Sequence, residues 1–266
     1  MEEVARRNRD GEGERKEIDM TGAEMPLSFL IYVWYNKEYL HYRGDVFMDS
    51  LVRQIEVPIA RNKIQKAGLY LVPEQRLDEL AEIAADAYQN YPLHNWFTNG
   101  VYDPIASKLL MKSTLAAMKD DSVIYADSEE LNGFAVWVPL GFTGSKTLPF
   151  LRNGGVRLFL HTGLGMLRKL LTYESFAMNL KKKYTGHIDW YLFNLSVRQS
   201  AQGKGIASKL MRPMLRFCDD EKMLVYLETN KESNVPMYNH YGFELRETIM
   251  IPGSTVMHYA MVRNPD

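Results

Sequence analysis

Charged and apolar positions are unevenly spread along this chain. The first twenty residues, MEEVARRNRDGEGERKEIDM, are mostly charged. They carry too little apolar surface to offset the entropy of ordering, so a disordered lead is expected. Residues 25–66 include the run SFLIYVWY, which reads equally as a buried strand or as one face of a short helix. The segment 1–66 is therefore set apart as an appendage with no recognisable chemistry. From Leu69 the pattern becomes regular. LYLV reads as a short strand, and Pro73 opens a helix with Leu77, Leu80, Ala81, Ala84 and Ala87 on one stripe. Met111, Leu115 and Met118 mark a second helix. Val123 to Ala126 and Phe134 to Val138 read as strands joined by the polar turn SEELNG. Residues 149–180 are expected to be mainly helical, with Leu160, Leu164, Leu167 and Leu171 on one stripe. Lys181, Lys182 and Lys183 end that helix as a solvated, dipole-compatible terminus.

In the last third, the pattern predicts strands over Ile188–Val197 and Met223–Leu227, and a helix over Gly203–Asp219. A short helix over Asn234–Tyr241 and closing strands near 243–250 and 255–263 complete it. Strands and helices alternate first and a hairpin finishes, which predicts a mixed α/β sheet.

Composition narrows the class. The chain has 266 residues, 46% hydrophobic and 24% charged, ordinary globular values that exclude wholesale disorder and fibrous structure. A net charge of −1 argues against a nucleic-acid partner. One cysteine, Cys218, forms no internal disulfide, and the six histidines show no metal-ligand spacing, so no metal is expected. The apolar run from Met25 to Tyr35 is too short to span a bilayer. A soluble, cytoplasmic protein without a membrane partner is the expectation. The fifteen scattered methionines read as core filling. No serine sits in a nucleophile-elbow context.

The segment LSVRQSAQGKGIASKLM sets a strand, a glycine turn and a helix start in sequence. Gly203 and Gly205 free the backbone to turn tightly and approach a ligand, and unpaired amides at the helix start suit a pyrophosphate. Three readings compete: a bland capping turn, a dinucleotide turn and an acyl-CoA turn. Gly203-x-Gly205-x-x-Ser208 nearly matches GxGxxG, and Glu228 stands at about the right distance for a ribose. Too few residues follow Gly203 to complete such a fold, and a serine replaces the third glycine.

Gln202-x-x-Gly205-x-Ala207 resembles the Q/R-x-x-G-x-G/A signature of the GNAT superfamily of N-acetyltransferases. Asn234, Tyr238, Gly242 and Phe243 resemble its N-x-x-x-Y-x-x-x-G-F pattern. HIDWYLFNLSV, QGKGIASKLMRPML, LET, NVPMYNHYGF and AVWVPLG are similar to the puromycin N-acetyltransferase-like branch, as is the helix-interior Pro213. The resemblance covers the chain from about Leu69 and implies a mostly antiparallel central sheet with flanking helices. It also implies direct acetyl transfer from acetyl-CoA to an amine in a ternary complex.

That resemblance assigns roles to residues. Leu195, Ser196 and Val197 would run beside the pantetheine arm, with the Leu195 amide as an oxyanion donor worth about 3 kcal/mol. Gln202, Gly203, Lys204, Gly205, Ile206, Ala207 and Ser208 would hold the pyrophosphate. Asn234 would bond the pantetheine or nearby backbone, and Tyr238 would be the general acid for the departing thiolate. Its alternative is an aromatic pinning the short helix, while Tyr241 reads as packing and His240 as surface. The base is open among Glu228, Asp189 and His187. His94 and Trp96 would line an acceptor pocket or form an aromatic cluster. By the branch resemblance the acceptor is a small amine, and a homodimer is allowed. Protein lysine or N-terminal acetylation and a non-catalytic acyl-CoA sensor stay as alternatives.

Overall fold

The computed structural model describes residues 45–140, 146–185 and 189–266, with side chains from Glu56 onward. The expected disordered lead, the SFLIYVWY run, His187 and Ile188 lie outside the described residues. Seven strands form one sheet: β1 (Tyr70–Leu71), β2 (Val123–Ala126), β3 (Gly133–Pro139), β4 (Trp190–Val197), β5 (Val225–Thr229), β6 (Glu244–Met250) and β7 (Met257–Arg263). Their order is β1-β2-β3-β4-β5-β7-β6. Every pair is antiparallel except the parallel β4–β5. The mixed, mostly antiparallel sheet is thus observed.

Side-chain alternation sorts the two faces. Val123, Tyr125, Ala135, Trp137, Trp190, Leu192, Val225, Leu227 and Met261 point to one core. Helix α1 (Asp45–Lys66) supplies Val57, Ala60 and Ile64 to that core, so side chains from the 1–66 segment pack inside it. Their spacing is helical, but the charged residues between them hide it in the sequence. Ile124, Phe134, Val136, Tyr191, Tyr226 and Val262 point to the opposite core. Against it, and around a third cluster that includes Leu93, Phe97, Leu158 and Met166, lie in chain order α2 (Leu77–Ala87), α3 (Pro92–Phe97), α4 (Pro104–Met118), α5 (Thr147–Phe150), α6 (Val156–Thr162) and α7 (Leu164–Tyr184). Of these, α2 and α4 supply Leu77, Leu80, Ile83, Met111 and Leu115.

Helix α8 (Ile206–Asp220) buries Leu210, Met211, Met214, Leu215, Phe217 and Cys218 against the first face, with Pro213 inside it. Short α9 (Val235–His240) follows β5. The outer strand β6 turns Glu244, Leu245 and Arg246 to solvent, as suits a sheet edge.

One expectation fails in an informative way. Leu160, Leu164, Leu167 and Leu171 do not share a buried stripe: Leu160 and Leu164 are exposed and Leu167 is buried. Gly163, at φ 75°, separates α6 from α7 and breaks the helical phase the stripe assumed.

Candidate functional site

Strands β4 and β5 stay together for three residues only, Trp190–Leu192 against Val225–Leu227. On its other side β4 carries a bulge: Trp137 faces Leu192 while Val136 faces Asn194, leaving Phe193 as the extra residue. The bulge reverses which amides face which neighbour. Trp190 N–H donates to Leu224 on the β5 side, whereas Arg198 N–H donates to Asn132 on the β3 side at 2.9 Å. Counting back from Arg198 by twos, the Ser196 and Asn194 amides also face β3. The amides of Leu195 and Val197 therefore face the gap that β5 has left. Leu195 stands where an oxyanion donor was expected, and the Val197 carbonyl accepts from Gln202 Nε2 at 3.2 Å.

The glycine turn closes the far end of this gap. Gly205 has φ 79° and directly precedes α8. A side chain there has open space but pays for the left-handed backbone. The backbone N–H groups of Gly203, Lys204, Gly205, Ile206, Ala207 and Ser208 find no acceptor among the described residues. Such a row of donors at a helix start suits a pyrophosphate. Gly133 on β3 is needed for another reason. A Cβ there would fall 2.9 Å from both Ser196 O and Ile206 Cγ2, so only glycine lets the strand and the turn close up. Two expected ligand contacts are made within the protein instead. The Ser208 hydroxyl bonds the Tyr241 hydroxyl at 2.7 Å, and Asn234 Nδ2 donates to Thr229 Oγ1 at 3.1 Å.

Tyr238, on α9, is buried with its ring edge against Phe243, and its hydroxyl makes no hydrogen bond among the described residues. Burial first, then the neighbouring phenols of Tyr91, Tyr88 and Tyr241, hold its pKa well above the ordinary value. The phenol stays protonated and ready to donate. Tyr88 and Tyr91 were not singled out in the sequence. The Tyr91 hydroxyl meets Thr229 Oγ1 at 3.0 Å and accepts from Asn230 N–H at 2.8 Å, while Tyr88 accepts from Asn194 Nδ2. The signal available was the aromatic density of YQNYPLHNWF.

Glu228 is the first residue of β5 beyond its pairing with β4. Its Oε1 accepts from Tyr191 at 2.6 Å, and its Oε2 accepts from Tyr226 at 3.2 Å and lies 3.0 Å from His258 Nε2. His258 Nδ1 lies 3.3 Å from Asn230 Nδ2, which also donates to Met257 O, so Nδ1 is assigned as acceptor and the ring proton to Nε2, the nitrogen beside the Glu228 carboxylate. Burial raises the Glu228 pKa, but His258, the Tyr191 bond and the Lys181 charge outweigh it and hold the carboxyl below its ordinary value. His258 was missed; a histidine facing the interior of an apolar strand was the available clue.

The other expected residues separate. Asp189 accepts from Leu224 N–H at the paired end of β4, six residues from Leu195, which is about 20 Å of strand. Distance removes it from the gap. His94 is stacked on Tyr88 and bonded to Ser107 Oγ at 2.9 Å, and burial holds its pKa down at about 4. Trp96 instead lines a cavity of about 500 Å³ beside the end of β5, with Asn95, Asn230, Lys231, Met257 and Tyr259. His240 is exposed.

Residues 170–245 match the family model described as an acetyltransferase (GNAT) domain. An uncharacterised N-acetyltransferase of Schizosaccharomyces pombe is 29% identical over 140 residues, covering 50% of this chain and 57% of the relative. The chain thus spans little more than half the length of that relative. A solved structure from Corynebacterium glutamicum, described as histone acetyltransferase HPA2 and related acetyltransferase, has a TM-score of 0.52 at 18% identity. The match covers 74% of this chain and 96% of that one. A putative arylalkylamine N-acetyltransferase 7 from the yellow fever mosquito Aedes aegypti gives 0.51 at 18%, covering 73% and 86%. These structural likenesses establish the fold, and the segment that matches the acetyltransferase (GNAT) model spans β4, the glycine turn, α8, β5 and α9.

Proposed function

We propose that this protein transfers an acetyl group from acetyl-CoA to a primary amine by direct attack in a ternary complex. The observation that carries the reading is the gap beyond the Phe193 bulge. One unpaired strand edge, Leu195 to Val197, leads into a turn whose amides are free, and a protonated phenol lies in the same core. An extended pantetheine arm would pair with that edge as a strand does. The pyrophosphate would rest on the amides of 203–208, with Gln202 bracing the turn and Lys204 adding charge. The Leu195 N–H would polarise the thioester carbonyl.

The amine attacks the carbonyl carbon, the C–S bond breaks, and Tyr238 gives its proton to the departing sulfur. Glu228 suits the cationic side of this reaction. A carboxylate held below its ordinary pKa is a weak proton store but a lasting negative charge, so it draws in the ammonium and steadies the positive nitrogen formed on attack. The proton then leaves through water. His258 and the two tyrosines keep that charge in place.

The acceptor is proposed to be a small molecule. The cavity beside Asn230 has a volume ordinary for such ligands. The motifs NVPMYNHYGF and AVWVPLG carry the proposed kinship to puromycin N-acetyltransferases. One structural neighbour is named for histones and another for arylalkylamines, so the test must include both acceptor types. Coenzyme A release should be measured with a panel of small amines and with lysine and N-terminal peptides. Higher kcat/KM on small amines supports the reading. Faster turnover of peptides overturns the small-acceptor part.

A further inference from the structure

From residue 131 to residue 173 the chain contains no aspartate or glutamate, yet it carries Lys146, Arg152, Arg157, Arg168 and Lys169. In a chain of balanced charge that asymmetry is large, and it coincides with misplaced apolar side chains. Leu148, Val156, Leu160 and Leu164 are 55, 51, 82 and 53% exposed on α5, α6 and the start of α7. The hydrogen bond from His161 to Asp103 sets the end of α6 beside the start of α4, where Val101 and Ile105 are exposed too. Arg152, Arg157 and Arg168 are exposed and form no ion pair among the described residues. Lys146 and Lys169 are already engaged, the first with Asp120 and the second with Asn99 and the Trp96 carbonyl.

We infer that this surface rests on an anionic lipid bilayer, with Leu148, Val156, Leu160 and Leu164 entering the headgroup region and the three free arginines meeting lipid phosphates. Exposed leucines flanked by unpaired arginines, with the nearby carboxylates already paired (Asp103 with His161, Asp120 and Asp121 with Lys146), match a negatively charged, partly apolar surface. None of the described helices is long and apolar enough to cross a membrane, so the contact lies along the interface. Asn99, Gly100 and Lys169, which line the 500 Å³ cavity, adjoin Val101 and Arg168 in the chain, so two residues of this surface lie next in sequence to the cavity wall. The inference departs from the expectation of a protein without a membrane partner.

The test is co-sedimentation of the full chain with phosphatidylcholine vesicles, with and without phosphatidylserine. Two variants accompany it, Leu160→Glu with Leu164→Glu, and Arg152→Gln, Arg157→Gln and Arg168→Gln together. The wild-type protein is expected on the anionic vesicles and to leave them at high salt, and each variant should bind roughly tenfold less. Unchanged melting temperature and acetyl-CoA affinity would show that the variants fold. No association with anionic vesicles, or association that neither variant weakens, overturns the inference. So does a wild-type oligomer in sedimentation equilibrium that the leucine variant splits, which would assign the patch to a second copy.

Discussion

Replacing Tyr238 by phenylalanine removes one oxygen from a buried ring that keeps its contact with Phe243. The structure separates what that oxygen does for folding from what it does for chemistry. Its hydroxyl has no hydrogen-bond partner among the described residues, so the loss to stability should stay within about 1 kcal/mol. Without the phenol, the departing thiolate must take its proton from solvent, and loss of a positioned acid typically costs about a hundredfold or more in kcat, some 2.7 kcal/mol. The upward pKa shift adds a signature: the acid stays protonated as pH rises through 10, so the wild-type rate should show no alkaline fall there from this group. The assay is steady-state coenzyme A release, alongside thermal melting and acetyl-CoA titration. A fall in kcat with melting temperature and affinity retained is expected. Unchanged kcat would retire the assignment, and a parallel collapse of stability and rate would reduce Tyr238 to packing.

Four further outcomes are expected. Glu228→Gln keeps one acceptor oxygen for Tyr191, turns the other into a donor and removes the charge, so kcat/KM for amines should fall by about tenfold or more while acetyl-CoA affinity holds; calorimetry with initial rates checks this. Gly133→Ala forces a Cβ against Ser196 O and Ile206, and should cost roughly 1–3 kcal/mol in urea unfolding and weaken acetyl-CoA binding as well. Ile64→Ala empties a fully buried site on α1 and should cost about 2–5 kcal/mol with an unchanged denaturant slope. Glu56 has its pKa raised to about 7 by burial and by the Glu221 and Asp189 charges. Native structure thus binds its proton more tightly, and stability falls as pH rises from its ordinary value through 7. Glu56→Gln should therefore raise Tm at pH 8 by roughly 2–4 °C, about 1 kcal/mol after discounting for partial exposure, and change little at pH 4.

Much of the architecture was legible because the strands on the core faces alternate and the helices carry spaced apolar stripes. Val123–Ala126 and Ile206–Asp220 are examples that fall within a residue or a few of expectation. What the spacing could not show was phase across a break: Leu160 and Leu167 match in register only if Gly163 stays helical, and it does not. The glycine turn and Tyr238 were legible as local motifs. Where the gap opens was not, because the bulge at Phe193 that marks it exists only when β3 is paired with β4. Glu228 was picked out in the sequence, but Tyr191 on β4 and His258 on β7 reach it across strands that only the folded sheet joins. The same limit hid Tyr88 and Tyr91, whose partners Asn194 and Thr229 lie over a hundred residues away.

The proposed seat of acetyl-CoA is the β4–β5 gap with its glycine turn. That assignment is tested most directly by titrating acetyl-CoA and NAD separately into the protein by calorimetry, beside the Gly205→Glu variant. A carboxylate at that φ 79° position would strain the turn and repel the pyrophosphate. Acetyl-CoA is expected to bind and NAD not to, and the variant, still folded by its melting curve, is expected to lose acetyl-CoA. Binding of NAD alone, or acetyl-CoA binding that Gly205→Glu leaves intact, would contradict that assignment.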